Sequence, residues 1–318
     1  MAPGRAFGML RARGIDSLHY NATWRVVKEV SDIAQQTVCA KGNIGPSPAW
    51  ARTMQKEFDA ASELAVSAGE LLLEHYEPIP EVEWKESGDP VTQADRLANG
   101  FLIRGLRSRF PNDTIVSEEE PDDPGRCRKS RVWIIDPMDG TREFIEHRSE
   151  FAVMIGLALE GIPVLGVIYH PASQKLYCAA DGFGAVLKKQ GKVFSLRVSR
   201  EVDLRCMTIA LSRSHHSPSI DAVCSRLGIT QSIRSGSIGL KVGLICEGRA
   251  HLYLDMSGRT SLWDTCAPAA LLREAGGRMT DLKGMQLRYN TPELRHLSGI
   301  IASNGTIHDR IVEAVNYV

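Results

Sequence analysis

The spacing of apolar residues predicts helices and strands that alternate from residue 54 onward. Helical spacing starts at Met54 and ends before Pro78, and a second helix begins at Thr92 and ends at Pro111. Short apolar runs between turn residues predict strands at 114–117, 132–135, 153–159, 164–169 and 175–180. Later strands are predicted at 208–212, 251–254, 278–281 and 299–302, and helices at 217–227, 237–247, 264–275 and 306–315. Helices on both sides of mixed sheets predict a layered α/β fold.

Composition narrows the function classes. The 318 residues include 38 basic and 38 acidic ones, so neither a nucleic-acid binder nor a polybasic membrane-surface protein is expected. Aromatic residues make up 6% of the chain, which leaves few platforms for base stacking. The longest apolar run, at 151–159, is too short for a membrane span. Seven scattered cysteines without a CxxC pair favour free thiols and a cytoplasmic location.

Acidic residues stand where predicted elements end. Asp136 and Asp139 directly follow a buried strand in WIIDPMDGT, where Pro137 and Gly140 favour a tight turn. Oxygen ligands without a nearby His or Cys suit Mg²⁺ and argue against zinc. The same segment is also typical of a plain Asx-turn that binds no metal.

Further acidic residues occupy similar positions. The run 118–120 follows another strand, and Asp95 and Asp264 stand at helix starts, where capping alone would explain them. Because four acidic positions at element ends coincide, we favour one multi-metal site. Two Mg²⁺ ions held by shared carboxylates would activate water and stabilise the leaving oxygen of a phosphoryl group.

Four segments then carry a resemblance to a known family. In order, WKESGDPVTQAD, VSEEE, WIIDPMDGTREF and WDTCAPAALL resemble the signature motifs of the lithium-sensitive, magnesium-dependent inositol monophosphatase superfamily, from about Met54 to the C-terminus. The resemblance implies an α/β/α/β/α sandwich and a phosphomonoesterase that uses two or three Mg²⁺ ions and forms no covalent phosphoenzyme. It implies these metal ligands: Glu118, Asp136, the backbone carbonyl of Met138, Asp139 and Asp264.

The resemblance also implies roles in catalysis. Asp95, Glu118 and Thr141 would orient and deprotonate the attacking water. The backbone amides of Gly140 and Thr141 would contact the phosphate that is cleaved. The start of the helix at Asp264 fits independently, because a helix N-terminus favours anionic oxygen.

The chain divides into three predicted segments. Residues 1–53 are rich in Gly and Pro and lack the apolar segment of a signal peptide, so we predict an accessory extension, with Met54 as an alternative start. Residues 54–181 would form an N-terminal α/β half with most metal ligands. Residues 182–318 would form a C-terminal α/β half with the substrate-specificity elements and Asp264.

The segments IDPMDGTREFI, SRSH, SGSIGLK and WDTCAP most resemble the 3'(2'),5'-bisphosphate nucleotidases, which release phosphate from adenosine 3',5'-bisphosphate to give AMP. In such enzymes the residues equivalent to Ser237 and Lys241 look like ligands for the second, uncleaved phosphate. A Gly/Ser-rich turn before a helix is suited to binding a phosphate. An ordinary loop with a solvated lysine would have the same sequence pattern. His215 would flank the base or ring, or be an incidental surface residue.

One difference from the sequences of related enzymes keeps other phosphate esters as alternative substrates. Several relatives carry an arginine shortly after the strand that contains Tyr253, whereas this chain has Asp255 there, with Arg249 and Arg259 nearby. The alternative function is an inositol-1-phosphate, histidinol-phosphate or sugar-phosphate phosphatase of the same superfamily. A scaffold protein without chemistry is disfavoured because every expected carboxylate is present. Either a monomer or a homodimer acting on a small phosphorylated substrate is expected.

Overall fold

The computed structural model describes residues 54–77, 81–85, 88–214 and 217–317. The predicted extension at 1–53 lies outside these ranges. The α-helices of the described residues are α1 (Gln55–Glu74), α2 (Gln93–Arg109), α3 (Thr141–Ile145), α4 (Pro218–Leu227), α5 (Ile238–Cys246), α6 (Leu262–Glu274) and α7 (His308–Val315). No helix among the described residues is long and apolar enough to cross a membrane.

The strands form two main sheets and one short hairpin. The hairpin consists of β1 (Val82–Trp84) and β2 (Pro90–Thr92). The first main sheet contains β3 (Thr114–Ser117), β4 (Arg131–Asp139), β5 (Ala152–Leu159), β6 (Ile162–His170), β7 (Lys175–Ala180), β8 (Gly184–Lys189) and β9 (Lys192–Leu196). The second contains β10 (Thr208–Ser212), β11 (Gln231–Ser235), β12 (Leu252–Asp255), β13 (Arg278–Thr280) and β14 (Ile300–Ser303).

The two sheets differ in topology. The seven strands of the large sheet follow chain order, and all neighbours are antiparallel except β3 and β4. The five strands of the small sheet lie in the order β11, β10, β12, β14, β13, and they are partly parallel. Because helices cover both faces of the large sheet, β5 and β6 are buried along almost their whole length.

Three hydrophobic clusters join these elements into layers. The first packs α1 and α2 on one face of the large sheet, through residues such as Leu72 and Leu102. The second places α5 and α6 between the two sheets, and the third covers the outer face of the small sheet with α4 and α7. Each fully buried Leu or Ile contributes about 1.5–3 kcal/mol. The predicted α/β/α/β/α sandwich is confirmed.

Glycines in the large sheet let α6 approach it closely. A Cβ on Gly166 would lie 2.1 Å from the carbonyl oxygen of Ala267, and one on Gly156 would lie 2.6 Å from Cys266 Sγ. No larger residue fits at either position without a shift of α6. This contact holds the start of α6 near the end of β4.

Most predicted elements are present, with ends that differ by a few residues. The sequence interpretation missed α3, β1, β2, β8, β9 and β11. β11 lies at the sheet edge, and its segment QSIRS has a single apolar residue, so it carries no hydrophobic signal. The large sheet continues to Leu196, which puts two of its strands on the C-terminal side of the proposed boundary between 181 and 182.

Candidate active site

The acidic residues singled out in the sequence meet at one cleft of about 1180 Å³. Its walls come from the end of β4, the starts of α3 and α6, and the loop after β12. Glu118, Asp136, Met138, Asp139 and Asp264 all line it. The fold therefore brings together three separate segments of the chain, around residues 118, 136–139 and 264.

The end of β4 positions two aspartates. The pairing between β4 and β5 is irregular between Asp136 and Asp139, where the strand bulges. Asp136 Oδ1 accepts a hydrogen bond of 2.9 Å from the backbone N–H of Met138, so Asp136 does form an Asx-turn, in addition to its place in the acidic cleft. Gly140 follows with a φ of 107°. A Cβ there would lie 2.7 Å from the carbonyl oxygen of Glu150, which requires glycine at this turn.

Asp95 and Asp264 occupy the same position in two helices. In α2, Asp95 Oδ2 accepts hydrogen bonds of 2.7 and 2.6 Å from the backbone N–H and the hydroxyl of Thr92. In α6, Asp264 Oδ2 accepts one of 2.6 Å from the backbone N–H of Ser261. Both helices start with a capping box. Capping uses one oxygen of each carboxylate and leaves the other for a second partner.

Three aspartates form a compact cluster. One carboxylate oxygen from each of Asp136, Asp139 and Asp264 lies within 4.8 Å of the others. Burial raises the pKa of all three above the ordinary value, and neighbouring carboxylates raise those of Asp136 and Asp264 further. Carboxylates this close repel one another unless a cation lies between them, and oxygen donors suit a hard divalent cation. The cluster therefore fits a metal site.

Glu118 lines the same cleft but forms an ion pair. Lys85 Nζ lies 2.8 Å from Glu118 Oε1 and 2.6 Å from Glu119 Oε1. Burial raises the pKa of Glu118, with smaller contributions from Asp95 and Asp139, while Lys85 opposes the shift. Lys85 was not among the predicted site residues, although it belongs to the WKESGDPVTQAD motif.

Thr141 lies between Asp95 and the backbone carbonyl of Met138. Its Oγ1 lies 3.1 Å from Asp95 Oδ1 and 3.2 Å from the carbonyl oxygen of Met138, and it can donate to either. As the first residue of α3, Thr141 also has a backbone N–H without a partner inside the helix. Asp95 is 1% exposed, and burial raises its pKa to about 6.

Ser237 lies behind the cleft. It is fully buried, and its hydroxyl donates a hydrogen bond of 2.5 Å to Asp139 Oδ2 and accepts one of 3.1 Å from the backbone N–H of Leu240. The backbone N–H of Gly239 donates a second bond, of 2.8 Å, to the same oxygen of Asp139. The start of α5 thus holds a carboxylate of the protein, where the sequence interpretation expected the second phosphate of a substrate.

Lys241 lines the cleft but is almost fully buried, with 1% exposure. Its Nζ donates to the carbonyl oxygens of Gly236, at 2.7 Å, and Ser235, at 3.3 Å, and lies 5.1 Å from the ring centre of Tyr253. Burial lowers its pKa, although Asp139 opposes the shift. The ammonium therefore has protein partners before any ligand binds.

The loop that follows β10 closes another side of the cleft. His215 lies outside the described residues. Arg213 pairs with Glu150 at 2.6 Å, and Glu150 also accepts a bond of 2.9 Å from the backbone N–H of Gly236. Ser214 donates to Glu143 at 2.5 Å. These long-range contacts join both halves of the chain, and the sequence interpretation did not predict them.

Comparison with known proteins decides the family. The family model of the inositol monophosphatase family matches residues 54–318. The chain belongs to this family. The 3'(2'),5'-bisphosphate nucleotidase CysQ of Salmonella typhimurium is 37% identical over 242 residues, which cover 74% of this chain and 95% of the relative. CysQ of Escherichia coli strain K12 is 36% identical with the same coverage.

Solved structures of inositol monophosphatase family proteins have the same fold. The structure of CysQ from Bacteroides thetaiotaomicron is similar with a TM-score of 0.66 and 31% identity, over 77% of this chain and 96% of that one. The Thermotoga maritima IMPase is similar with a TM-score of 0.69 and 28% identity, over 82% and 96%. Family membership and these relatives identify the chain as a phosphatase, as predicted, of a generally metal-dependent family.

Proposed function

We propose that the protein is a Mg²⁺-dependent 3'(2'),5'-bisphosphate nucleotidase that converts adenosine 3',5'-bisphosphate to AMP and phosphate. The observation that carries this proposal is the cluster of Asp136, Asp139 and Asp264 in a chain similar to CysQ over 95% of the relative's length. Such a cluster provides the site for phosphate cleavage. The similarity to CysQ supports the substrate class.

The residues of the cleft fit divalent cations. Asp136, Asp139 and Asp264, together with Glu118 and the carbonyl oxygen of Met138, would hold two or three Mg²⁺ ions. When bound, these ions supply positive charge opposite the phosphate oxygens and acidify the attacking water. The backbone amides of Gly140 and Thr141 would donate to the phosphate that is cleaved.

Thr141 and Asp95 would activate the water. Thr141 accepts a proton from water while its own proton passes to Asp95 Oδ1, 3.1 Å away. A pKa of about 6 lets the Asp95 carboxylate take a proton near neutral pH. Glu118 lines the same cleft and would orient the water. The hydroxide attacks phosphorus directly as the ester P–O bond breaks, so no covalent phosphoenzyme forms. The electron pair of the broken bond stays on the ribose 3'-oxygen, which takes a proton from solvent to give the 3'-hydroxyl of AMP.

The second phosphate requires a different assignment from the sequence expectation. We retain Lys241 as a ligand, because it lines the cleft and its ammonium has an N–H beyond its two carbonyl contacts. We assign Ser237 to the support of Asp139, because it already donates its only hydroxyl hydrogen to that carboxylate, behind the cleft.

Phosphate release from adenosine 3',5'-bisphosphate, inositol 1-phosphate and histidinol phosphate, measured side by side, tests the proposal. The bisphosphate should be the preferred substrate, activity should require Mg²⁺ and disappear with a chelator, and lithium should inhibit. Preference for the inositol or histidinol ester would establish the alternative function. Full activity in chelator would contradict the metal assignment.

We also propose a cytoplasmic location. Each of the six cysteines among the described residues has a free thiol, and three of them are buried. Free thiols are typical of a reducing compartment. Fractionation of the native host cell tests this point, and recovery from an oxidising compartment would contradict it.

A further inference from the structure

Six basic side chains line the cleft, and most of them already have protein partners. Lys85 pairs with two glutamates, while Lys241, Arg142 and Arg234 donate to backbone carbonyl oxygens. The two remaining guanidinium groups form no hydrogen bond or ion pair with any described residue; they belong to Arg259 and Arg295. Both are exposed. An unpaired guanidinium in a phosphatase cleft is available to an anionic ligand.

Arg259 projects from a loop that hydrogen bonds hold in place. Asp255 Oδ1 accepts bonds of 3.0 and 2.7 Å from the backbone N–H and the hydroxyl of Ser257, and Asp255 Oδ2 accepts one of 2.5 Å from Thr260 Oγ1. Gly258 has a φ of 67°, and a Cβ there would lie 2.8 Å from the carbonyl oxygen of Leu297. The backbone on both sides of Arg259 is therefore ordered before a ligand binds, which lowers the cost of binding.

The loop lies on the side of the cleft where Lys241 is. Tyr253 and Asp255 alternate with Leu254 along β12, so they share one face of the strand. The Tyr253 ring contacts Lys241, and the charge of Asp255 also acts on Lys241. Arg249, the other candidate from the sequence, pairs weakly with Glu247 and does not line the cleft.

We propose that Arg259 is a specificity-determining residue that binds the phosphate that is not cleaved. This inference rests on the proposed nucleotidase function. A nucleoside bisphosphate carries roughly three to four negative charges at neutral pH, and the aspartate cluster with its cations serves only the cleaved phosphate. Lys241 offers one further N–H, whereas the planar guanidinium of Arg259 can bind a phosphate through two parallel hydrogen bonds.

The test compares R259A with R295A, a matched variant of the other unpaired arginine in the cleft. The rate constant kcat/KM is measured on adenosine 3',5'-bisphosphate and on adenosine 3'-monophosphate, which lacks the second phosphate. R259A should lower kcat/KM on the bisphosphate by roughly tenfold to a hundredfold and change kcat/KM on the monophosphate about twofold at most. R259K keeps the charge but not the planar fork, so its kcat/KM on the bisphosphate should lie between those of wild type and R259A. R295A should keep the wild-type ratio of the two substrates.

Binding without turnover gives a second measurement. AMP carries the retained phosphate and adenosine does not, so R259A should weaken AMP binding and leave adenosine binding unchanged. The assignment to Arg259 is wrong if R259A lowers kcat/KM equally on both substrates or on neither. It is also wrong if R295A alone changes the ratio of kcat/KM between the two substrates. If wild type prefers inositol 1-phosphate to the bisphosphate, the proposed function itself fails, and the two failures are thus distinguishable.

Discussion

The two sheets contribute different charged side chains to the cleft, buried aspartates from the large sheet and exposed arginines, beside Asp255, from the small one. The large sheet ends in Asp136 and Asp139, which are 1% and 8% exposed and receive backbone hydrogen bonds. The small sheet contributes Arg234 at β11 and Arg259 after β12, and both side chains are exposed. The acidic side is buried and hydrogen-bonded, whereas the basic side consists of exposed side chains.

This difference follows from the two tasks of the site. Cleavage of a phosphate ester needs ligands held within a fraction of an ångström, which buried strand and helix ends provide. Recognition of the rest of the ester needs charge of the right sign at the right distance, which an exposed arginine supplies. Changes on the acidic side should therefore affect every substrate, and changes on the basic side should alter selectivity.

The largest effect is expected for loss of a clustered carboxylate. D136N or D264N should lower kcat by several orders of magnitude on bisphosphate and monophosphate alike, because each aspartate is expected to hold a catalytic cation. Initial rates at saturating Mg²⁺ measure the loss, and D309N, at an exposed aspartate, is the control. Near-normal rates in either variant would contradict the site assignment.

A smaller loss is expected when the hydroxyl next to the cluster is removed. T141V keeps the shape of Thr141 but cannot pass a proton to Asp95, so its rate should fall about 10²-fold to 10⁴-fold. T141S keeps the hydroxyl and should retain most of the activity. Single-turnover rates separate this step from product release, and equal rates in both variants would rule out a role for the hydroxyl.

Loss of the support behind Asp139 should be milder still. S237A removes a hydrogen bond to Asp139 Oδ2 but leaves the one from the Gly239 N–H, so the Mg²⁺ concentration for half-maximal rate should rise about tenfold to a hundredfold. The shift should be equal for bisphosphate and monophosphate, and S195A, at an exposed serine, should show none. A loss confined to the bisphosphate would show that Ser237 does contact the second phosphate.

The difference between the acidic and the basic side of the cleft also explains which site residues could be predicted from sequence. Asp136 and Asp139 were found because a buried apolar strand leads directly into them, and the family motifs pointed to their role. Ser237 was expected at the substrate because a sequence does not show on which side of a helix start an anion lies. The choice between Arg249 and Arg259 depends on contacts within a loop, which hydrophobic periodicity does not report.

Mild acid should lower the stability of the half of the molecule that contains the small sheet. This effect should be smaller than those predicted for the substitutions above. His308 is fully buried, and each ring nitrogen lies 2.8 Å from a hydroxyl, that of Thr280 or Ser303. Burial, assisted by Arg278 and opposed by Asp309, lowers the pKa of His308 to about 4 from an ordinary value of 6.5. Below about pH 6.5 the unfolded chain therefore binds a proton that the native protein does not, and stability falls as the pH drops.

Between pH 7.5 and pH 6 this linkage should cost about 1 kcal/mol of the free energy of unfolding. H308Q keeps a hydrogen-bonding side chain and removes the titration, so denaturant unfolding at the two pH values should give a smaller difference than in wild type, whatever the variant's absolute stability. His308 packs against the small sheet, far in the layer order from α1 and α2, so hydrogen exchange should report the acid-induced weakening first in β13 and β14. An equal pH dependence in both proteins would show that His308 does not control it.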